Sequence, residues 1–290
     1  MPELPEVEVV KRSLKKTITN LTIKNIRINN SLLRYKVNKL VLKRIIGLKI
    51  KSIERRSKYL LFFFYKSELV MIVHLGMTGK FFISKNKQQL KTSFYYNLNE
   101  KKDNKHNHII FFFKNKNKLI YNDVRKFGFI KFDLRKKLKD NKHISLLGAE
   151  PLENKFNFTY FKTYIKGRKR LIKDILMDQK FISGLGNIYV NEILFLSKVH
   201  PFRMVKELKN YEIKLIIFNT KKILKKAIIS GGSSIKNFSS LSGKSGNFQQ
   251  FFQVYGKEGE NCSNFDCNDL IQKKAISNRA SFFCSNCQKY

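Results

Sequence analysis

The chain has 290 residues, and its 59 lysines and arginines against 21 aspartates and glutamates give a formal net charge of +38 at pH 7. This length allows two domains and a sizeable core. The charge favours a polyanionic partner, nucleic acid first of all, but it does not locate a site, because abundant Lys, Asn, Ile and Phe also follow from A/T-rich codon bias.

The cellular compartment can be predicted from the chain's start, its apolar runs and its cysteines. The start is acidic where a secretory signal would be basic, and the longest apolar run, Tyr59 to Tyr65, is far shorter than the ~20 residues that cross a bilayer. All four cysteines come after residue 260 in two pairs, whereas a disulfide-stapled domain would scatter them. We therefore expect a cytoplasmic protein with no membrane partner.

The first ten residues, MPELPEVEVV, hold two prolines and three glutamates. A small second residue favours removal of the initiator methionine, which would leave Pro2 as a free secondary amine. Such an amine titrates near pH ~8 and attacks a sugar or carbonyl carbon without a separate base, while Glu3 can shuttle the protons. The alternative is an ordinary helix start with Pro5 in its first turn, and both interpretations can hold together.

Residues up to about 145 are predicted to form mainly strands. Tyr59–Tyr65 and Leu69–His74 form one expected hairpin, Ile109–Phe113 and Leu119–Asp123 a second, and Phe127–Phe132 follows. Runs that are apolar on both faces favour two sheets packed together. The Lys- and Asn-rich segment Lys85–Asn107 predicts a long exposed loop.

From Pro151 onward, apolar residues recur at helical spacing. Three stripes predict three helices: Leu171 to Leu176, Ile188 to Leu196, and Ile216 to Ile228. Gly148–Pro151 is the expected hinge before them, and Gly231-Gly232 is expected to end the last helix.

The four cysteines, Cys262, Cys267, Cys284 and Cys287, predict a structural zinc site. Four thiolates in two close pairs complete a tetrahedral shell around Zn²⁺ and leave no open position for chemistry. The metal replaces the hydrophobic core that about 30 residues cannot build; the alternative is four unrelated free thiols. Arg279 lies between the pairs, so a two-stranded finger would hold it at or near a tip, unless it is an ordinary solvated arginine.

Two loops have the composition of nucleic-acid contacts. Gly184 and Gly186 precede a helix start, where backbone N–H groups can bind a phosphate and Asn187 can cap the helix or reach the same oxygen. A plain interhelical turn would look similar. Arg125 and Phe127 lie at a loop tip and could enter a base stack, although a hairpin turn with one packed phenylalanine gives the same pattern.

Two further side chains are ambiguous by themselves. Met77 is either a packing residue or a wedge. His74 has no Cys or His near it in sequence, which argues against a metal ligand and for a histidine that is satisfied internally or faces a phosphate.

These motifs, taken in order from Met1 to Gln288, resemble those of the formamidopyrimidine-DNA glycosylases, bacterial enzymes that excise oxidised purines from DNA. The matching blocks are the opening ten residues, Lys58-Tyr59-Leu60-Leu61, His74 to Gly79, Asp123 to Gly128, Met177-Asp178-Gln179, Gly184 to Tyr189 with Glu192, Val254-Tyr255-Gly256 and the cysteines.

The resemblance implies an α+β multidomain fold. Its expected parts are an N-terminal β-sandwich with an opening helix (1–148), a helix–two-turn–helix domain with a lesion-capping loop (149–252), and a C-terminal zinc-finger hairpin (253–290) with one Zn²⁺ ion. The implied partner is damaged double-stranded DNA. We also expect a monomer, because the sequence carries no oligomerisation signature.

The implied activity is that of a bifunctional glycosylase and AP lyase in base excision repair, which acts through a Schiff base followed by β,δ-elimination. Each functional residue of the family maps onto a position of this chain. Pro2 would be the nucleophile and Glu3 its proton-transfer partner, and Glu6 would be a helper carboxylate. Lys58 and His74 would line the catalytic pocket or contact phosphate, and Lys58 also counts among the catalytic residues. Met77, Arg125 and Phe127 would fill the gap left by the flipped base, while Lys173, Asn187 and Arg279 would hold the phosphates, Arg279 also counting among the catalytic set.

Several positions depart from the usual pattern of the family. Ser57 stands where the family generally has glycine, and Val124 and Lys126 replace a common proline and a common arginine. Asp174 replaces a common proline, and Asn247 stands where an aromatic residue is common. The first two cysteines are separated by four residues rather than two. These departures leave loop dynamics and exact lesion preference open.

Two other functions stay open. One is an endonuclease VIII-like glycosylase for oxidised pyrimidines, against which Leu4 and the run Arg125-Lys126-Phe127 argue. The other is a non-catalytic protein that binds damaged DNA, which would require Pro2 to be blocked. Under the favoured function, we expect the positive charge of Lys58 to keep the Pro2 amine neutral.

Overall fold

The computed structural model describes residues 1–85, 88–91, 104–233 and 248–290, with the backbone alone at 85 and 88–91. It divides into two compact units: Met1–Ser145 with Ser230–Asn247, and Leu146–Ile229 with Phe248–Tyr290. The three-domain division at residues 148 and 252 stays a prediction, because a compact unit need not coincide with a domain. In the described ranges, every helix is too short or too polar to span a bilayer.

The first unit consists mainly of antiparallel strands, with one long helix at its start. Its described elements are α1 (Leu4–Ile18), β1 (Ile23–Ile28), α2 (Lys39–Lys43), β2 (Ile50–Arg56), β3 (Tyr59–Phe64), β4 (Leu69–His74), β5 (Gly79–Lys85), β6 (Gln88–Lys91), β7 (Asn107–Phe113), β8 (Lys118–Asp123) and β9 (Phe129–Leu134), with 3₁₀ turns at Asn104–His106 and Arg135–Asp140. One sheet has the strand order β1-β7-β8-β5-β6 and the other β2-β3-β4-β9.

The two sheets share one hydrophobic core, as predicted. Phe62 of β3 and Phe81 of β5 are fully buried, with ring centroids 6.0 Å apart. Helix α1 adds Val7, Val10 and Leu14 to this core. On its other face, β3 packs Leu61 and Phe63 in a second cluster, next to Leu138 and Ile144. Because both faces of β3 are covered, the strand is apolar throughout.

Two expectations for this unit were wrong in part. Gln88–Lys91, within the predicted loop Lys85–Asn107, forms the edge strand β6 and pairs with β5, because ladder hydrogen bonds come from the backbone and do not require apolar side chains. Strand β9 begins at Phe129 rather than Phe127, because Lys126 has a left-handed φ of 57° that ends the turn. Residues 104–107 of the predicted loop form a 3₁₀ turn and the start of β7. Residues 86–87 and 92–103 of this loop, the lesion-capping segment Ile235–Gly246 and Asn247 lie outside the described residues.

The second unit contains the helices that the three apolar stripes predict. Its described elements are α3 (Phe158–Ile165), α4 (Ile172–Met177), α5 (Asn187–Leu196), α6 (Asn210–Ile229), β10 (Gln272–Ile276) and β11 (Arg279–Phe283), with 3₁₀ turns at Val205–Glu207 and Phe248–Phe251. Ile175, Ile193 and Ile216, one from each predicted stripe, meet in one buried core.

Strands β10 and β11 form a C-terminal hairpin, which α5 holds in place. Ser277 and Asn278 connect the strands, both with positive φ (47° and 60°), as a type I′ turn requires. The side chain of Asn191 accepts a hydrogen bond from Phe282 N at 2.8 Å. Glu192 accepts three backbone N–H groups from residues 253–255. Polar side chains of α5 therefore fix the hairpin and the segment that leads to it.

Candidate active site

The first turn of α1 ties the start of the chain to residue 233. Glu6 Oε2 accepts a hydrogen bond from Glu3 N at 2.7 Å, and its other oxygen accepts from Ser233 N at 3.1 Å and Ser233 Oγ at 3.2 Å. Both glutamates are buried. Glu6 thus links the residues that precede α1 to the last described residue before the predicted lesion-capping segment.

The terminal amine lies in a desolvated, charged environment. Its pKa is lowered from the ordinary value, first by burial and then by the cations Lys58 and Arg125, while Glu3 and Glu6 act in the opposite direction. In the chain as it stands this amine belongs to Met1, and the Pro2 nitrogen lies in a peptide bond. Burial favours the neutral form of an amine, which is the nucleophilic one.

Lys58 is presented by the connection between β2 and β3. Arg56 pairs with Tyr59 across this hairpin, so Ser57 and Lys58 form a two-residue turn, and Lys58 is buried. Its charge lowers both the pKa of the terminal amine and that of His74. Lys58 therefore lies near both His74 and the start of the chain; the roles that the resemblance assigns to these residues stay predictions.

His74 ends β4 and is neutral at physiological pH. Burial, followed by the charges of Lys58 and Arg34, lowers its pKa to about 4. Its ring stacks on Phe129 with centroids 5.5 Å apart, and its Nδ1 accepts a hydrogen bond from Gly76 N at 3.0 Å. In a neutral imidazole the other nitrogen then carries the proton, so Nε2–H is left as a donor.

Met77, Arg125 and Phe127 meet in one exposed group. Arg125 Nη1 lies 3.1 Å from Met77 Sδ, and the guanidinium carbon is 4.4 Å from the centroid of the Phe127 ring. Met77 is 40% exposed and Phe127 45% exposed. Apolar side chains this exposed at turn tips are available for insertion into a base stack.

Asp123, which the sequence analysis gave no role, organises this group. The buried carboxylate accepts hydrogen bonds from Gly128 N at 2.8 Å and from the hydroxyl of Thr78, which in turn accepts from Arg125 N at 2.9 Å. A Cβ atom on Gly76 would lie 2.4 Å from Gly128 N, so the two loops approach closely only because of glycine. The sequence signal for this role was an acidic residue at the end of β8, shortly after the apolar run Leu119-Ile120-Tyr121.

The second unit places three further predicted residues together. Lys173, only 1% exposed, donates to Ala280 O at 2.8 Å and Ser281 Oγ at 2.7 Å. Asn187 Nδ2 donates to the same carbonyl at 2.9 Å. Both residues therefore hold the backbone next to Arg279, which lies beside the hairpin tip. Burial, with a smaller effect of Arg279, lowers the pKa of Lys173 to about 8; phosphate contact by these three residues stays a prediction.

The four cysteine sulfurs lie within 4.8 Å of one another. Cys262 Sγ is 3.7 Å from Cys287 Sγ, and Cys267 Sγ is 3.6 Å from Cys284 Sγ. A tetrahedral ion with metal–sulfur distances of about 2.3 Å has sulfurs ~3.8 Å apart. The cluster therefore fits a bound metal ion.

Comparison with known proteins finds matches along the whole chain. The family models described as the N-terminal domain and the H2TH domain of formamidopyrimidine-DNA glycosylase match residues 1–130 and 147–239. The formamidopyrimidine-DNA glycosylase of Rickettsia bellii is 38% identical over 289 residues, which cover 100% of both chains. The chain belongs to the formamidopyrimidine-DNA glycosylase family.

Solved structures of the family extend the match to the whole fold. The Lactococcus lactis Fpg in complex with abasic-site DNA has a TM-score of 0.85 at 35% identity and covers 99% of this chain and 100% of its own. The wild-type L. lactis protein in complex with DNA containing an oxidised pyrimidine has a TM-score of 0.84 at 34% identity, with 100% of both chains covered. The predicted family and fold class are confirmed, and the chain is a DNA glycosylase.

Some departures from the family pattern have a local explanation. Asp174 lies in the first turn of α4, where a carboxylate interacts favourably with the helix N-terminus, so a proline is not needed there. Ser57, in contrast, has a left-handed φ of 55°, the conformation that the more common glycine would adopt without strain.

Proposed function

We propose that this chain is a bifunctional DNA glycosylase and AP lyase of base excision repair, which removes 8-oxoguanine and formamidopyrimidines from double-stranded DNA with Pro2 as its nucleophile. The observation that carries the proposal is the desolvated terminal amine, whose pKa is lowered by burial and by Lys58 beside two buried carboxylates. Removal of Met1 places the Pro2 amine next to these groups.

The reaction begins with extrusion of the damaged base. A lesion edge cannot be reached inside a duplex, so the nucleotide must leave the stack, at a cost that inserted side chains offset. Met77, Arg125 and Phe127 supply such side chains, and Asp123 keeps the two loops that carry them in register.

The chemistry follows from one covalent intermediate. The lone pair of the Pro2 nitrogen attacks C1′ of the extruded nucleotide, the glycosidic bond breaks, and the base leaves with its electrons and takes up a proton. Loss of the amine proton and ring opening give an iminium ion, which makes the C2′ proton acidic. Glu3 moves these protons, and β- and then δ-elimination cleave the strand on both sides before water releases Pro2.

DNA recognition by this chain is supported by its relatives and by its charge. Structures of the L. lactis protein contain Fapy-dG DNA, abasic-site DNA and DNA with an oxidised pyrimidine, and the present chain carries +38. His74 can donate its Nε2–H to a phosphate, and Lys173, Asn187 and Arg279 form the phosphate-binding set of the second unit. A bacterial enzyme with this substrate acts in the cytoplasm, where the chromosome lies, and we expect it to act as a monomer.

The four cysteines hold one structural Zn²⁺ ion. When bound, the ion completes a closed thiolate shell that stabilises the finger and supplies no open coordination site for catalysis. The finger in turn keeps Arg279 next to the Lys173 and Asn187 side chains.

A second candidate substrate class is oxidised pyrimidines, because the L. lactis relative was solved with such DNA. Paired single-turnover excision from duplexes that contain 8-oxoguanine or an oxidised pyrimidine decides between them. We expect the oxidised purine to be excised faster, and the reverse order would assign the chain to the second class.

Borohydride trapping on an 8-oxoguanine duplex tests the proposed function. Wild type should form a covalent adduct. Pro2→Gln should form none, because it removes the secondary amine and its large side chain also keeps Met1. Lys58→Ala, the control, should retain an adduct that forms more slowly. An adduct that persists in Pro2→Gln would require another nucleophile, and no adduct from processed wild type would leave a protein that only binds DNA.

A further inference from the structure

The turn that presents Lys58 is strained at Ser57. Ser57 is almost fully buried and has a φ of 55°, in the region that glycine adopts freely and other residues adopt at a cost. Positive φ at the first residue of a two-residue hairpin turn is required by the turn geometry. A strained residue persists only where its surroundings fix it, so something must hold this turn.

Arg55 makes one contact that holds the turn. Its Nη1 donates to the carbonyl oxygen of Ser57 at 2.9 Å. That carbonyl belongs to the peptide group that joins Ser57 to Lys58. Fixing the plane of this peptide group fixes the direction in which the Lys58 side chain leaves the backbone.

Arg55 is in turn fixed by Glu8 of helix α1. Arg55 Nε donates to Glu8 Oε2 at 3.0 Å, and both side chains are 10% exposed. Glu8 Oε1 accepts from Lys11 at 2.8 Å and from Arg12 at 3.0 Å. Burial raises the pKa of Glu8, but the hydrogen bonds from Lys11 and Arg12 and the charge of Arg55 outweigh it and hold this pKa below its usual value. The carboxylate is therefore a permanent anchor at neutral pH.

We propose that Arg55, anchored by Glu8, is a positioning residue that holds Lys58 beside the amine at the start of α1. The proposal rests on the function proposed above. The Arg55 guanidinium joins helix α1, which carries the nucleophile, to the hairpin that carries Lys58. It donates one N–H to the Glu8 carboxylate of the helix and another to the Ser57 carbonyl of the turn. This pair of contacts is the brace.

Arg55→Lys tests the brace, because a single ammonium cannot reproduce the two-direction fork of a guanidinium. Lys58 then moves away, the pKa of the terminal amine rises, and the acid limb of the trapping rate shifts to higher pH. At pH 7 we expect trapping about tenfold slower, because a smaller fraction of the amine is neutral, with recovery at higher pH and unchanged affinity for DNA. Competitive acylation of the terminal amine against pH measures the same shift without DNA.

Two further variants separate positioning from simple support of the fold. Ser57→Gly removes the strain, so in the Arg55→Lys background it should restore most of the trapping rate, which a double-mutant cycle quantifies. Arg12→Lys is the matched control: Arg12 also binds Glu8 but is 60% exposed, and its replacement should change neither the rate nor the pH profile.

The proposal is overturned if Arg55→Lys leaves the titration of the amine unchanged, or lowers trapping equally at every pH without rescue by Ser57→Gly. Absence of an adduct from wild type and Arg12→Lys would instead refute the proposed function. The amine titration would still decide whether Arg55 holds Lys58 in place.

Discussion

Asp123 shows how one buried carboxylate can organise a group of exposed side chains. It accepts from Gly128 N and from the Thr78 hydroxyl, and so fixes the loops that carry Met77, Arg125 and Phe127. Only Arg125 and Phe127 are near it in sequence; the loop of Thr78 comes 45 residues earlier. The exposed group therefore depends on a residue that makes no contribution to the surface.

We predict that Asp123→Asn loosens this group. One carboxylate acceptor becomes an amide donor that faces another donor, which should cost about 1–3 kcal/mol of unfolding free energy, measurable by urea denaturation. Excision from a fully paired duplex should fall more than cleavage of a preformed abasic site, because only the former needs base extrusion. Thr78→Val removes the hydroxyl and should reproduce the same selectivity, while equal losses on both substrates would contradict the role assigned to Asp123.

His74 predicts a defined loss of stability in acid. Its pKa in the folded chain is about 4, against 6.5 as the ordinary value, so on acidification the unfolded chain binds the proton first. The contribution of neutral His74 to stability is complete above pH 6.5 and is lost as the pH falls to 4. The loss amounts to at most about 3 kcal/mol.

This loss can be measured as the difference in unfolding free energy between pH 7 and pH 4.5, from urea unfolding of the wild type and of His74→Asn. The asparagine does not titrate in this range, and its side-chain oxygen can still accept the hydrogen bond from Gly76 N. The difference in unfolding free energy between the two pH values should be smaller in the variant. Identical differences in wild type and variant would show that His74 does not titrate as assigned.

At the scale of elements, the finger combines a cysteine cluster with a hairpin that α5 holds. The hairpin contributes few buried side chains of its own, among them Phe282, Phe283 and Ile276. Its backbone accepts hydrogen bonds from Lys173 and Asn187 and donates one to Asn191, and these bonds require β11 to keep its conformation. A bound metal ion supplies what this small core lacks.

We predict that removal of Zn²⁺ abolishes DNA binding and leaves the two-sheet unit folded. Without the metal, β11 should lose its geometry and Arg279 its position, whereas the core around Phe62 and Phe81 contains no metal ligand. Fluorescence anisotropy with a labelled duplex and circular dichroism follow the two effects, and restored Zn²⁺ should restore binding. Unchanged affinity after verified metal loss would contradict the prediction.

The elements differed in how far the sequence could predict them. The apolar stripes of α4, α5 and α6 and the all-apolar β3 were predictable, because burial dictates their composition directly. Strand β6 was not, since its pairing depends on the free backbone edge of β5. The cysteine spacing predicted the sulfur cluster, but the brace between Glu8 and Arg55 joins residues 47 positions apart, a distance that no local pattern encodes.

At the scale of the whole molecule, the positive charge of the chain has two effects, one on DNA binding and one on the terminal amine. A net charge of +38 attracts the DNA backbone and steers encounter, but by itself indicates no chemistry. The proposed chemistry uses Glu3 and Glu6, and the proposed brace uses Glu8. All three acids lie on the first two turns of α1 or just before it. The same cations that attract DNA favour a neutral, nucleophilic amine among them.

The most direct test of this account is peptide mapping by mass spectrometry of the borohydride-reduced adduct formed with an 8-oxoguanine duplex. The account predicts a protein that has lost Met1 and carries the deoxyribose fragment on the nitrogen of Pro2. An adduct on a lysine side chain, or active protein that keeps Met1 intact, would contradict it.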